Sequence, residues 1–175
     1  MFKTIALLLV IIVAALLLYA ATRPGSFRVE RSTSIKASPD KVFAFVNDFH
    51  QWGVWSPWEK LDPGLKRTHG GAASGKGATY AWEGNSKVGQ GRMEIVDAAA
   101  PAKLVIKLDF LKPFEAHNTA EFTFEPQAGE TRVNWVMHGP APFMTKLMGV
   151  FVSMDSMVGK DFEAGLANLK AAAEK

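Results

Sequence analysis

The chain is predicted to be an α+β protein in which a curved antiparallel sheet wraps around a long C-terminal helix, preceded by one apolar N-terminal helix. Three observations lead there. No charge occurs between Lys3 and Arg23, a central region is built from alternating segments separated by short turns, and an apolar spacing of three and four residues runs from about Phe143 to the end. With 175 residues, 48% of them hydrophobic, the chain has material for one domain with a sizeable core and for a separate apolar segment.

The apolar segment comes first. At about 1.5 Å per residue a helix over residues 4–22 spans roughly 28 Å, close to the ~30 Å hydrocarbon core of a bilayer. One lysine ahead of an apolar run also fits a cleaved signal peptide. Cleavage after Ala20 or Ala21 would leave Leu18 or Tyr19 where a small residue is needed, so a retained anchor is the better reading. The expected location is single-pass in a membrane of bacterial inner-membrane type. Its orientation stays open, because Lys3 lies on one side and Arg23, Arg28 and Arg31 on the other. Arg23-Pro24-Gly25-Ser26 is a short linker, which divides the chain into an anchor with linker (1–26) and a folded domain (27–175) held close to the bilayer.

Charge narrows the partners. Leaving out Lys3, nineteen Lys and Arg face seventeen Asp and Glu, a balance too even for the clustered basic face of a nucleic-acid binder. Lys60, Lys66, Arg67 and Lys76 are close in sequence and read as a solvated surface. With no cysteine there is no disulfide, thiolate metal site or cysteine nucleophile.

The domain opens with a strand over Phe27 to Ala37. A helix follows over Ser38 to Phe49, with Ser38 as N-cap and Pro39 at the first helical position, where a missing N–H costs nothing. Val42, Phe43, Phe45, Val46 and Phe49 make its apolar stripe, and Gly53 and Pro57 are expected to end the helical run. A short strand over Leu65 to His69 and a glycine-rich loop from Gly70 to Gly77 come next. Further strands are expected over Ala78 to Glu83, Gly89 to Asp97, Leu104 to Phe110, Phe114 to Glu125 and Thr131 to Met137, joined as an antiparallel meander.

Alternation assigns the faces. Between Phe114 and Glu125, Glu115, His117, Thr119, Glu121, Thr123 and Glu125 form one register and face water. The other register, with Tyr80, Trp82, Ile106, Leu108 and Trp135 on neighbouring strands, faces inward. Ala116, Asn118 and Ala120 are small among these neighbours, so a hollow is expected beside them. From Phe143 a continuous helix would carry Leu147, Met148, Phe151, Val158, Phe162, Leu166 and Leu169 against the sheet.

Two stretches carry a resemblance. The strand, the Ser-Pro-capped helix and the Asp48-Phe49, Trp52 and Trp55-Ser56-Pro57 turn form the first. The run Met154-Asp155, Met157 to Glu163, Gly165-Leu166 and Asn168-Leu169-Lys170 forms the second. With the strand start at Gly89-Gln90-Gly91, they resemble the START/Bet v 1-like (SRPBCC) superfamily, in particular its polyketide-cyclase-type branch, over nearly all of residues 27–175. The resemblance implies a helix-grip fold and binding of a hydrophobic ligand. It carries over no catalytic motif, and the membrane segment is an addition to the usual domain.

Chemical motifs add little. Gly70 to Lys76 has the spacing of a phosphate-binding loop, but Gly77 stands where Ser or Thr should hold Mg²⁺, and no helix is expected after it. A mobile loop at a cavity mouth is expected there instead. His50, His69, His117 and His138 lack metal-ligand spacing, and no nucleophile elbow is present, so no metal, cofactor or catalytic residue is assigned. Asp155 falls within or beside the helix stripe, where a buried carboxylate would have a raised pKa. The candidate ligand-binding residues are therefore Trp55, Tyr80, Trp82, Ile106, Leu108, Asn118, Ala120, Trp135, Phe151 and Asp155.

Membrane-anchored binding of a hydrophobic small molecule or lipid between the sheet and the C-terminal helix is the expected function. The alternative is a cyclase or hydratase acting on a hydrophobic carbonyl substrate. Two ionisable groups facing the cavity within hydrogen-bond reach of each other would favour the enzyme, one or none the binder. An interaction module using the outer sheet face is disfavoured by Glu115, Thr119, Glu121 and Thr123.

Overall fold

A computed structural model describes residues 2–175. Seven strands form one antiparallel sheet in the order β1-β7-β6-β5-β4-β3-β2. They are β1 (Ser26–Ile35), β2 (Lys66–Gly71), β3 (Ala78–Glu83), β4 (Gln90–Ala99), β5 (Lys103–Lys112), β6 (Ala116–Gln127) and β7 (Glu130–Pro140). Strands β2 to β7 are a meander, and β1 returns to the far edge to pair with β7 from Ser26↔Pro140 to Ile35↔Thr131. The expected faces hold: Asn118, Ala120, Phe122 and Phe124 are buried on β6, while His117 and Glu125 are exposed.

The inner face is covered by α2 (Pro39–Asn47), the short helix α3 (Trp52–Trp55) and α5 (Met154–Ala173). Ser38 caps α2, its hydroxyl accepting from the Lys41 N–H at 3.4 Å. The helix ends two residues earlier than the apolar stripe suggests. Asp48 is extended and accepts from the His50 N–H, starting a separate turn that still buries Phe49. Gly53 does not stop a helix; it lies inside α3, and Pro57 opens the next turn. Trp52 and Trp55 donate their indole N–H groups to the carbonyls of Val46 and Phe45, which ties this segment back onto α2.

Three further expectations are corrected. The C-terminal helix is broken: α4 (Phe143–Met148) ends at Gly149, and α5 starts anew where Ser153, in extended conformation, accepts from the Ser156 N–H. A capping serine competes with continued helix by offering the backbone N–H a different partner. The glycine-rich loop is tied down, not poised over a cavity: Gly75 N–H donates to the Asn47 carbonyl and Gly77 N–H to that of Ile95. Finally, β2 is shifted one residue and runs on through Gly70 and Gly71, which pair with Thr79 and Ala78.

The N-terminal helix α1 (Phe2–Thr22) is exposed along nearly its whole length, and by length and composition it is able to cross a membrane. Its last turns pack on α4: Ala20 is fully buried and the Arg23 guanidinium donates to the Gly149 carbonyl at 3.1 Å.

Candidate functional site

A cavity of about 200 Å³ lies between the sheet and the segment formed by α3, the Pro57–Lys60 turn and α5. Of the ten predicted residues, Tyr80, Trp82, Leu108, Ala120 and Trp135 line it. Its remaining wall includes Trp58, Met93, Phe110, Val158 and Phe162. Trp82 is held over Gly91 on the neighbouring strand and donates to the Val88 carbonyl. A Cβ at Gly91 would run into that ring and approach the Asp109 carbonyl at 2.7 Å, so only glycine leaves room for the tryptophan.

Five predicted residues lie elsewhere. Trp55 and Ile106 are fully buried core behind the cavity wall. Asn118 is buried, and its side chain lies against Gly139 of β7. Phe151 is 72% exposed because it falls in the break between α4 and α5, and Val158 and Phe162 take the place expected for it. Asp155 is exposed in the first turn of α5, where its two oxygens accept from Arg31 at 2.7 and 3.1 Å. Arg31 also reaches Glu163 at 2.7 Å. Gly159, midway between the two carboxylates, leaves space for the guanidinium. The Asp155 carboxyl is thus held below its usual pKa by Arg31, opposite to the rise expected of a buried acid.

The polar edge of the cavity includes Glu59, which sequence patterning does not single out because it sits in a short turn with no period. Tyr80 donates its hydroxyl to Glu59 Oε1 at 2.5 Å, and Arg67 donates to Oε2 at 2.6 Å. The Glu59 side chain is 8% exposed. Burial and the adjacent carboxylate push the Tyr80 phenol well above its ordinary pKa of 10.0. Tyr80 therefore stays protonated, with its proton committed to Glu59. Ser56 and Lys87 are the other polar side chains on the lining, whereas the Trp135 indole N–H is one of the two buried side-chain atoms without a hydrogen-bond partner among the described residues.

Ionisable groups on the opposite face do not open to the cavity. Asp109, buried beneath neighbouring side chains, contacts His117 at 2.7 Å, Arg92 at 3.1 Å and Lys107 at 3.4 Å. Burial raises its pKa, but His117, Arg92 and Lys107 together outweigh that and lower it below 3.8. A lowered folded-state pKa means that the stabilisation is complete above the unfolded value and is lost as pH falls through the folded one. Asp109→Asn is accordingly expected to lessen the difference in denaturation midpoint between neutral pH and about pH 3. Urea titrations of both proteins at the two pH values check this. Among the described residues no three His, Cys, Asp or Glu side chains come together as a metal site.

The seven-stranded antiparallel sheet, the long closing helix and the apolar hollow between them define a helix-grip protein of the SRPBCC, polyketide-cyclase-like class. Residues 26–174 match the family described as polyketide cyclase / dehydrase and lipid transport, and the chain belongs to that family. Its fold is similar to that of the protein CV1439 from Chromobacterium violaceum (TM-score 0.58, 13% identity, covering 87% of this chain and 99% of that one). It is also similar to the di-domain ARO/CYC BexL from the BE-7585A biosynthetic pathway (TM-score 0.61, 16% identity), covering 90% of this chain and 53% of BexL. A third similar structure is the Aha1 dimer from Colwellia psychrerythraea (TM-score 0.56, 16% identity, covering 85% of this chain and 96% of that one). No protein of curated function matches the chain.

Proposed function

We propose that this protein binds a hydrophobic small molecule or lipid in the cavity and is held at a membrane by α1. The observation that carries the binding reading is the cavity itself: mostly aromatic and aliphatic walls with a few polar groups, the Tyr80–Glu59 pair, Ser56 and Lys87. Ligand sites are built this way, with apolar walls supplying affinity and a few polar groups setting orientation. At about 200 Å³ the hollow suits a compact ligand or part of an acyl chain. Native mass spectrometry of the chain released from gentle detergent is expected to show a retained apolar molecule. A chain found only at its own mass, with no fluorescent fatty acid or ANS binding, would overturn the reading.

The cyclase or hydratase reading draws on one specific observation: Tyr80 and Glu59 are two ionisable groups on the cavity within hydrogen-bond reach. By count this favours an enzyme. Their chemistry supports binding, because Arg67 engages the carboxylate and the phenol's raised pKa makes it a poor acid. A general acid or base works best with a pKa near the working pH. Tyr80→Phe separates the readings. With its proton held by Glu59 the phenol can only accept from a ligand, so a binder should lose about two- to tenfold in affinity, corresponding to one hydrogen bond of ~0.5–1.5 kcal/mol, and return its ligand chemically unchanged. Recovery of a transformed ligand from the parent but not the variant would instead establish an enzyme.

The anchor reading is supported by the packing of α1, since cleavage after Ala20 or Ala21 would sever α1 close to where it packs on α4. Alkaline washing of membranes is expected to leave the full-length chain in the pellet. A soluble chain beginning near Ala21 or Thr22 would mean a signal peptide.

A further inference from the structure

An exposed apolar surface remains that neither the cavity nor α1 uses. Phe143, Met144, Met148, Phe151, Val152 and Met157 are all between 45% and 72% exposed, in α4, the break and the first turn of α5. Large side chains clustered in this way mark an interaction surface. The helix break creates it. A continuous helix would have turned Met148 and Phe151 towards the sheet, whereas the restart at Ser153 leaves this segment outside the grip.

Its position relative to α1 is set by several bonds. The last turns of α1 pack on α4, Arg23 donates to the Gly149 carbonyl, and the Ala141 N–H donates to the Gly25 carbonyl at 2.8 Å. Only Arg23, Pro24 and Gly25 separate α1 from β1, so no flexible arm lifts the domain away from the end of α1. The charge pattern agrees with a lipid surface. Residues 143–157 contain Lys146 and a single acid, Asp155, whose carboxylate is paired with Arg31, and Arg23 stands at the junction. Cations beside apolar side chains suit anionic headgroups above an acyl layer.

We infer that residues 143–157 form a foot that inserts into the headgroup–acyl boundary of the same bilayer that α1 crosses. The inference rests on the anchor reading. The foot fixes the domain's tilt, and it leads directly to Val158, which lines the cavity, so that this wall begins at the membrane side.

The chain has no cysteine, which makes site-specific labelling direct. Single variants Met144→Cys, Phe151→Cys, Leu9→Cys and Gln127→Cys of the full chain would each be labelled with the fluorophore NBD. They would then be reconstituted in vesicles of phosphatidylethanolamine and phosphatidylglycerol. A foot lying about 5–10 Å into the boundary predicts blue-shifted emission at 144 and 151, lost more to a nitroxide just below the glycerol level than to one near the bilayer centre. The label at 9 should show the reverse order. That at 127, at the opposite end of the sheet, should respond to neither. Circular dichroism of each labelled chain verifies that the fold is intact.

Aqueous emission at 144 and 151 with a quenched label at 9 overturns the foot and leaves the anchor standing. Quenching at 144 and 151 without quenching at 9 supports the foot and removes the span. Aqueous emission at all three positions removes both. Labels at 144 and 151 shielded from water and from both nitroxides, with Phe151→Cys forming disulfide-linked pairs of chains, would assign the surface to a second copy of this chain and overturn the inference.

Discussion

Trp135→Ala is expected to cost on the order of 3–5 kcal/mol of stability, the range for truncating a large aromatic core residue. The ring is 3% exposed and stacks between Phe162, at 4.0 Å between centroids, and Phe122, at 4.9 Å. The edges of Trp55 and Trp58 meet it at 5.6 and 5.8 Å. Truncation removes these contacts and merges the vacated space with the cavity, so neighbouring side chains have little chance of collapsing into it. No protein hydrogen bond is lost, because the indole N–H has no partner. Glu121→Ala provides the comparison. It lies on the opposite face with His138 at 2.9 Å and Lys103 at 3.0 Å, ion pairs of a partly exposed kind worth at most about 1 kcal/mol. Chemical denaturation of both variants measures the difference. Equal losses would contradict the packing described here.

Ala120→Phe is expected to abolish ligand binding while sparing the fold. Ala120 is 5% exposed, pairs with Ile106 on one side and Met137 on the other, and opens on the cavity. A larger side chain in a filled core typically costs ~1–3 kcal/mol, but one that enters a hollow gains contacts and has no atoms to displace. The melting temperature should therefore be unchanged or raised. Affinity for a fluorescent fatty acid should fall at least about tenfold, which is ~1.4 kcal/mol. A variant that binds like the parent, or that unfolds well below it, would place the binding site elsewhere.

Much of this molecule was readable from local pattern. The N-cap at Ser38 and the inward set Asn118, Ala120, Phe122 and Phe124 follow from chemistry between residues a few positions apart. The five predicted residues that line the cavity, Tyr80, Trp82, Leu108, Ala120 and Trp135, all come from strands, where a period of two determines which face a side chain occupies. Phe151 and Asp155, which lie away from the cavity, were expected there from a helical period carried across a break. The count of 3.6 residues per turn holds only while the helix is continuous. The apolar spacing continues on both sides of Gly149 and Ser153, so spacing alone does not reveal the break.

The sequence by itself determined the order of the strands, their faces, the apolar N-terminal helix and, through the resemblance of its two ends, the family. These depend on backbone propensity, alternation and composition, which act over short distances along the chain. Only the tertiary structure decided that Glu59 joins Tyr80 and Arg67 at the cavity edge, that Asp155 and Glu163 share Arg31, and that the α4 segment lies against the end of α1. Arg31 and Asp155 are 124 positions apart, and Arg23 and Gly149 are 126. Such partners are chosen by how the β1–β7 pairing and the break before α5 bring distant surfaces together. No local pattern carries that information.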